Sequence, residues 1–169
     1  MTDSEHKSLN HWRSETDASG LFWLCLDKAD SSVNTLSKAV LLEFDGVIAT
    51  LEKHPPRGLV IHSAKPSGFV MGADINEFIT IETADQGYEL IRLGQQLFDR
   101  LEALRCPTVA VLNGFALGGG LELAMACTYR IALENPKPVI GLPEVQLGLH
   151  PGFGGTVRSV RIAGVRAAM

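Results

Sequence analysis

The sequence has no excess of positive charge. Its 15 lysine and arginine residues stand against 19 acidic ones, which gives a formal net charge of −4. Proteins that bind the phosphate backbone of nucleic acids need clustered cations. The arginines near the end, Arg158, Arg161 and Arg166, are few and spaced out. We interpret them as the solvated face of a helix, and we do not expect nucleic acid as a partner.

The sequence also lacks a long apolar run. No stretch approaches the roughly 20 residues that cross a bilayer, so no membrane span is expected. The segment Met1–Gly20 is polar and carries Asp3, Glu5, Glu15 and Asp17. A polar segment of this kind lacks the apolar core of a signal peptide, and its four acids argue against an acid-poor transit peptide.

Cysteine is scarce. Cys25, Cys106 and Cys127 are odd in number, far apart and set among apolar or helix-forming neighbours. This pattern predicts neither a disulfide framework nor a zinc site. We expect three buried free thiols in a reducing cytosol, and no bound metal.

The remaining content is that of one ordinary globular domain. The 169 residues are 46% hydrophobic and 20% charged, enough for one core and too few for two comfortable ones. No internal repeat, low-complexity tract or linker divides the chain. We therefore treat residues 1–169 as a single domain.

Short, continuously apolar segments indicate strands. The predicted strands of this kind are Leu21–Asp27, Gly58–Ser63 and Thr108–Asn113, and two further short candidates are Tyr129–Leu133 and Val139–Gly141. A glycine-punctuated loop is predicted over residues 65–74. Strands that are apolar on both faces and alternate with helices favour an α/β fold with parallel pairing.

Three helices are predicted between these strands. The first spans Ser37–His54, where apolar residues recur on one face and two prolines follow. The second opens with capping-box spacing at Thr83 and Gln86 and carries a leucine stripe. The third, Gly118–Ala126, follows a glycine turn.

The glycine turn in Asn113–Cys127 (NGFALGGGLELAMAC) is the most informative segment. Three consecutive glycines let the backbone approach a ligand closely, and the first N–H groups of the following helix have no intrahelical partner. Such a turn can present an N–H to an oxygen that gains negative charge. Glu122 lies one helical turn past Gly119, so its carboxylate can point to the same ligand. The alternative is a first-turn acid that favours the helix dipole; neither G-x-G-x-x-G nor a P-loop fits.

Two further segments could complete such a site. Glu144 is an isolated acid behind Pro143, and two converging carboxylates suit addition of water to a conjugated double bond. In the segment FVMGADINEF, the N–H of Ala73 could supply a second donor opposite Gly119. The alternative there is a plain turn with Asp74 as a helix N-cap.

These segments together resemble the crotonase (enoyl-CoA hydratase/isomerase) family. The motifs G-A-D-I-x-E, N-G-x-A-L-G-G-G-L-E-L-A and G-L-P-E-V-x-L-G-L-x-P-G-x-G-G-T occur in the family's order, over roughly residues 70–156. The residues and spacing of the last motif are similar to those in the multifunctional α-subunits of β-oxidation complexes. In those subunits an N-terminal hydratase domain is fused to a dehydrogenase. Any single motif is weak, but the ordered set is specific.

The resemblance implies a spiral of β-β-α repeats that binds acyl-CoA thioesters. By this likeness, Ala73 and Gly119 match the oxyanion-hole donors, Glu122 the carboxylate that orients or activates water, and Glu144 the one that transfers the α-proton. The residues that match substrate and coenzyme A contacts are Ser32, Val33, Gly72, Asp74, Ile75, Gly118, Pro143 and Gly152. Because coenzyme A is part of the substrate, no separate cofactor is expected.

The predicted function is hydration of 2-trans-enoyl-CoA to 3-hydroxyacyl-CoA in fatty-acid β-oxidation. One alternative is a Δ3-Δ2-enoyl-CoA isomerase, which needs a single glutamate; another is a coenzyme A-binding or structural module without turnover. A serine hydrolase built on His62, Ser63 and His150 lacks the G-x-S-x-G turn.

The resemblance also sets expectations for the whole protein. In the family, C-terminal helices complete the acyl pocket and support trimers, whereas this sequence stops at Met169 in what looks like the start of a helix. We expect those helices and a dehydrogenase segment to be missing from residues 1–169. We also expect a homo-oligomer or a β-oxidation complex partner in the full-length protein, in a bacterial cytoplasm.

Overall fold

A computed structural model describes residues 9–134 and 140–168. The strands are β1 (Trp12–Thr16), β2 (Leu21–Leu26), β3 (Gly58–Ser63), β4 (Gly68–Val70), β5 (Thr108–Leu112), β6 (Phe115–Leu117), β7 (Tyr129–Ala132) and β8 (Ile140–Gly141). The helices are α1 (Lys38–Lys53), α2 (Ile75–Phe78), α3 (Ala84–Glu102), α4 (Gly119–Ala126), α5 (Gly155–Ala163) and α6 (Val165–Ala168), with a 3₁₀ turn at Glu144–Leu147.

The strands form two sheets in a repeating pattern. The larger sheet has the order β1-β2-β3-β5-β7, and the smaller has the order β4-β6-β8. All pairs are parallel except β1 with β2, which is antiparallel. In β3–β4, β5–β6 and β7–β8, the first strand joins the larger sheet and the second joins the smaller one, and helices follow. The predicted α/β spiral of β-β-α units is thus confirmed, although the sequence itself contains no detectable repeat.

The predicted helices lie where periodicity and end signals place them. Ser37 caps α1 by accepting from the N–H of Val40, and the stripe Leu41, Phe44, Ile48 and Leu51 is buried. The capping box of α3 is present in both directions, because the Thr83 side chain accepts from the Gln86 N–H and the Gln86 side chain accepts from the Thr83 N–H.

Three strands differ from the sequence prediction. The loop predicted over residues 65–74 contains β4, whose three residues are all buried but too few to show a period. Strands β1 and β6 were not predicted either; β1 buries Trp12 alone and is otherwise exposed. Trp12 attaches β1 to the core by stacking on Phe44 at 5.0 Å and by donating from Nε1 to the Val40 carbonyl. Val139, which began the last predicted strand, lies outside the described residues.

The cysteines are free, as expected, but not equally buried. Cys106 and Cys127 are buried, whereas Cys25 is half-buried because it lies on a partly covered face of β2. Burial raises the pKa of the Cys127 thiol to about 12. Within residues 9–134 and 140–168, no cluster of three His, Cys, Asp or Glu side chains is arranged to hold a metal ion. No helix among those residues has the length and apolarity to cross a membrane.

Candidate active site

Helix α4 follows directly on β6, the central strand of the smaller sheet. Gly118 begins the turn with φ 51° and ψ −127°, a conformation that favours glycine, and its N–H donates to the Gly141 carbonyl at 2.9 Å. A Cβ on Gly120 would lie 2.3 Å from the Val70 carbonyl oxygen. The glycine run therefore lets α4 start in direct contact with β4 and β8.

Glu122 is held on the first turn of α4. Its side chain is buried, with 1% of the residue exposed, and Oε1 accepts from the N–H groups of Phe153 at 2.8 Å and Gly155 at 2.7 Å. No described residue donates to Oε2. One oxygen thus fixes the carboxylate and the other is left for another partner.

Burial raises the pKa of Glu122 to about 7. Desolvation is the largest cause of the raised pKa, and the negative charge of Glu144 raises it further. The hydrogen bonds from the N–H groups of Gly155 and Phe153 lower the pKa, and so does the positive charge of Arg158. A carboxylate of this kind can accept and release a proton near neutral pH.

Glu144 reaches the same turn through the smaller sheet. Strand β8 pairs with β6, with Gly141 opposite Leu117, and the 3₁₀ turn begins three residues later at Glu144. Oε1 of Glu144 lies 2.9 Å from the position that a Cβ on Gly118 would occupy. Its Oε2 is buried and accepts no hydrogen bond from the residues that the structure describes. A buried carboxylate oxygen without a protein partner is costly, which is typical of a group that meets a ligand.

The Gly72–Asp74 segment lies on the other side of the turn. The Leu36 N–H donates to the Gly72 carbonyl, and the Leu36 carbonyl accepts from the Asp74 N–H. The Ala73 N–H lies between these two hydrogen bonds and takes part in neither. A Cβ on Gly72 would lie 4.0 Å from the nitrogen of Gly119. Within the described ranges, neither Ala73 nor Gly119 donates its N–H to another residue. Two free N–H groups beside one turn can polarise a carbonyl.

Asn34 and Lys28 hold this segment in place. Asn34 is 1% exposed, and its Nδ2 donates to the carbonyls of Leu26 and Phe69 and to the Ser63 hydroxyl, at 2.8 to 3.1 Å. The Lys28 ammonium lies 2.5 Å from Oδ2 of Asp74 and holds the pKa of that carboxyl below its usual range. The interpretation of Asp74 as an N-cap is confirmed, because its Oδ1 accepts from the Asn76 N–H.

The remaining predicted contact residues fall into two groups. Gly72 and Gly118 touch, since a Cβ on Gly118 would lie 3.8 Å from the Gly72 Cα, and Pro143 directly precedes Glu144. Farther out, Ser32 is exposed, Val33 is half-buried, Ile75 is 61% exposed, and Gly152 lies against Ile91 and accepts from Gln95. The first group surrounds the turn, while the second lines two neighbouring loops and α2.

The prediction for Arg158 is wrong. Arg161 and Arg166 are exposed as predicted, but Arg158 is 5% exposed. Its guanidinium donates to the Phe153 carbonyl at 2.9 Å and pairs with Asp99 and Glu102 on α3. The signal available in the sequence is the i, i+3 spacing of those two acids, which places both on one face of the predicted long helix.

The serine hydrolase alternative is also wrong. The Ser63 hydroxyl accepts from Asn34 and from the N–H of Lys65, so it serves the loop after β3. His62 lies on the opposite face of the strand, edge-on to Trp23 with ring centroids 6.0 Å apart.

Comparison with known proteins identifies the family of the chain. A family model described as enoyl-CoA hydratase/isomerase matches residues 21–169. The fatty acid oxidation complex subunit alpha of Vibrio parahaemolyticus is 42% identical over 166 residues, which is 98% of this chain and 23% of that protein. The Aliivibrio fischeri protein of the same name is 44% identical over 151 residues, 88% of this chain and 22% of that protein. The chain thus spans less than a quarter of these relatives.

Solved structures show the same fold. The enoyl-CoA hydratase from Bacillus anthracis superposes with a TM-score of 0.85 at 30% identity, covering 94% of this chain and 60% of that one. Pseudomonas aeruginosa DspI superposes with a TM-score of 0.87 at 28% identity, covering 99% and 62%. The chain belongs to the enoyl-CoA hydratase/isomerase family, as its motifs predict.

Proposed function

We propose that the full-length protein hydrates 2-trans-enoyl-CoA thioesters reversibly to 3-hydroxyacyl-CoA. The observation that carries the proposal is the position of Glu144. Its carboxylate lies against the Gly118 turn with a buried oxygen that accepts from no described residue, and its charge acts on Glu122. Two acids at one turn suit a reaction that moves one proton from water and another to carbon.

The free N–H groups would bind the thioester oxygen. As water attacks C3 of the enoyl group, negative charge develops on that oxygen, and the Ala73 and Gly119 N–H groups are placed to stabilise it. Each such donor contributes on the order of 10²–10³ in rate. Backbone donors held by the smaller sheet and by Asn34 need little rearrangement as the charge forms.

The two glutamates would divide the proton transfers. Ionised Glu122 accepts a proton at Oε2 from the attacking water, and Glu144, which must enter the step protonated, delivers a proton to C2 of the resulting enolate. Proton exchange with solvent then returns Glu122 to its ionised form and Glu144 to its protonated form. The product gains the elements of one water molecule, and the reverse sequence releases it. A Glu122 pKa of about 7 matches this role, because a base works best with a pKa near the operating pH.

The relatives suggest where this reaction belongs. The Vibrio and Aliivibrio proteins are named as α-subunits of a fatty acid oxidation complex. We propose that the full-length protein acts in fatty-acid β-oxidation and assembles with a second kind of subunit.

The test replaces each glutamate in the full-length protein. We expect Glu122→Gln and Glu144→Gln each to lower the turnover of crotonyl-CoA hydration by about 10²–10⁴-fold, the usual worth of a positioned acid or base. Glu15→Gln is the matched control, because Glu15 is exposed on β1. Normal hydration with both glutamates replaced would contradict the proposal.

Substrate comparison separates hydration from isomerisation. An isomerase would convert 3-enoyl-CoA to 2-enoyl-CoA, would depend on a single glutamate and would add no water to crotonyl-CoA. We expect water addition that depends on both residues, measured by loss of the conjugated thioester absorbance.

A further inference from the structure

We propose that Arg158 is a positioning residue for Glu122: the arginine holds the Phe153–Gly155 loop over that carboxylate and places a buried cation on the other side of the loop. Three contacts carry the proposal. The guanidinium donates to the Phe153 carbonyl, and the N–H groups of Phe153 and Gly155 both donate to Oε1 of Glu122. One short loop therefore joins the arginine to the glutamate.

The loop is folded tightly over the guanidinium. Gly154 has φ 99°, in the left-handed region, and a Cβ there would lie 2.4 Å from Nη1 of Arg158. A Cβ on Gly155 would lie 2.9 Å from Oε1 of Glu122. The two glycines thus leave room for the arginine on one side of the loop and for the glutamate on the other.

Arg158 is anchored from α3. Its Nη2 pairs with Asp99 at 2.7 Å and its Nε donates to Glu102 at 2.9 Å. The side chains of these acids are 69% and 47% exposed, whereas that of Arg158 is 6% exposed. Water screens the two acids more than the arginine, so the cation keeps an influence on Glu122.

The charges around Glu122 define the expected effect. Glu144, from the 3₁₀ turn, raises the Glu122 pKa, and Arg158, from α5, lowers it. Arg130, from β7, donates to carbonyls at the far end of α4, including those of Ala124 and Cys127. Loss of Arg158 would remove a cation, loosen two N–H donors and free two acids, and all three changes disfavour the ionised carboxylate.

The first test is the pH profile of kcat/KM in the full-length protein, and this arm rests on the proposed function. Arg158→Gln should move the acid limb upward by about one pH unit, with roughly a tenfold loss at pH 6 and recovery towards pH 9. Arg161→Gln, on the exposed side of α5, is the matched control and should leave the profile unchanged. An equal loss at every pH, or an unchanged profile for Arg158→Gln, would overturn the proposal.

If the Arg158→Gln variant does not fold, Arg158→Lys tests the positioning role in its place. Lysine keeps the charge but cannot donate to the Phe153 carbonyl and both acids at once. We expect a smaller displacement of the acid limb, with roughly a threefold loss at pH 6. A loss that is equal at pH 6 and pH 9 would contradict the assignment.

The second readout does not depend on turnover. Isotope-edited infrared titration follows the carboxyl band of Glu122, identified by its disappearance in Glu122→Gln. The titration midpoint should rise in Arg158→Gln and stay in place in Arg161→Gln. If the midpoint moves while no hydration is measured, the positioning role stands and the proposed function fails; if it does not move, the positioning role fails.

Discussion

Glu122 combines two properties that oppose each other at the scale of one residue. Its burial prepares the carboxylate to exchange a proton near neutral pH, but the ionised form is costly in that environment. Two N–H donors and Arg158 offset only part of this cost, since the pKa still lies above the ordinary 4.5. A buried carboxylate of this kind is expected to weaken the fold where it is charged.

Replacement of Glu122 should therefore stabilise the protein at alkaline pH. The native state holds this proton more tightly than the unfolded chain, so the free energy of unfolding falls as pH rises from about 4.5 through about 7, by up to about 3 kcal/mol. Glutamine keeps an oxygen that accepts from Phe153 and Gly155 but carries no charge. We expect Glu122→Gln to be more stable than wild type by about 2–3 kcal/mol at pH 8, with a smaller difference at pH 5.

Denaturant unfolding at the two pH values measures this difference. Glu15→Gln serves as the control, because Glu15 is exposed on β1 and its loss should change stability by less than about 0.5 kcal/mol. A Glu122→Gln variant that is less stable than wild type at pH 8 would show that the ionised form is not disfavoured in the folded protein.

At the scale of elements, the first turn of α5 has no room for a side chain at the position that faces Glu122. Gly155 is the first residue of α5, and a Cβ there would lie 2.8 Å from Cγ of Glu122. Alanine is a better helix former than glycine, so Gly155→Ala favours the helix while it displaces the glutamate. We expect hydration turnover to fall at least about tenfold, because small displacements of a positioned group cost that much or more.

Gly46→Ala is the matched control for that change. Gly46 lies in α1, where a Cβ would meet nothing within 4 Å. This substitution should raise the free energy of unfolding by about 0.5–1 kcal/mol and leave turnover unchanged. Equal turnover in the two alanine variants would contradict the tight contact between Gly155 and Glu122.

The elements with strong local signals were predictable from sequence. Helix α1 has an apolar stripe and a serine cap, and β3 begins with an apolar run over residues 58–61, so periodicity, end signals and apolar content were enough to predict both. Strands β4 and β6 have three residues each, too few for any period, and they form because neighbouring strands pair with them. For Arg158 the sequence offered only the i, i+3 spacing of Asp99 and Glu102 on α3, and nothing local links those acids to an arginine 56 and 59 residues away.

At the scale of the whole molecule, the site is assembled from segments that are distant in sequence. The smaller sheet sets β8 beside β6, which carries Glu144 to the Gly118 turn, and the pairing of Leu36 with Ala73 brings the other loop there. Each segment could be identified from its residues. Their convergence could not, because no local signal encodes the pairing of β6 with β8.

Under the proposed function, this convergence gives the substrate carbonyl a single binding position. The Ala73 and Gly119 N–H groups would share one thioester oxygen, with Glu122 and Glu144 beside the adjacent carbons. The most direct test is a crystal structure of the full-length protein with a saturated acyl-CoA, which cannot be hydrated. We predict that the thioester oxygen lies about 2.7–3.1 Å from both nitrogens. A thioester oxygen bound elsewhere, with both N–H groups facing water, would contradict the proposed site.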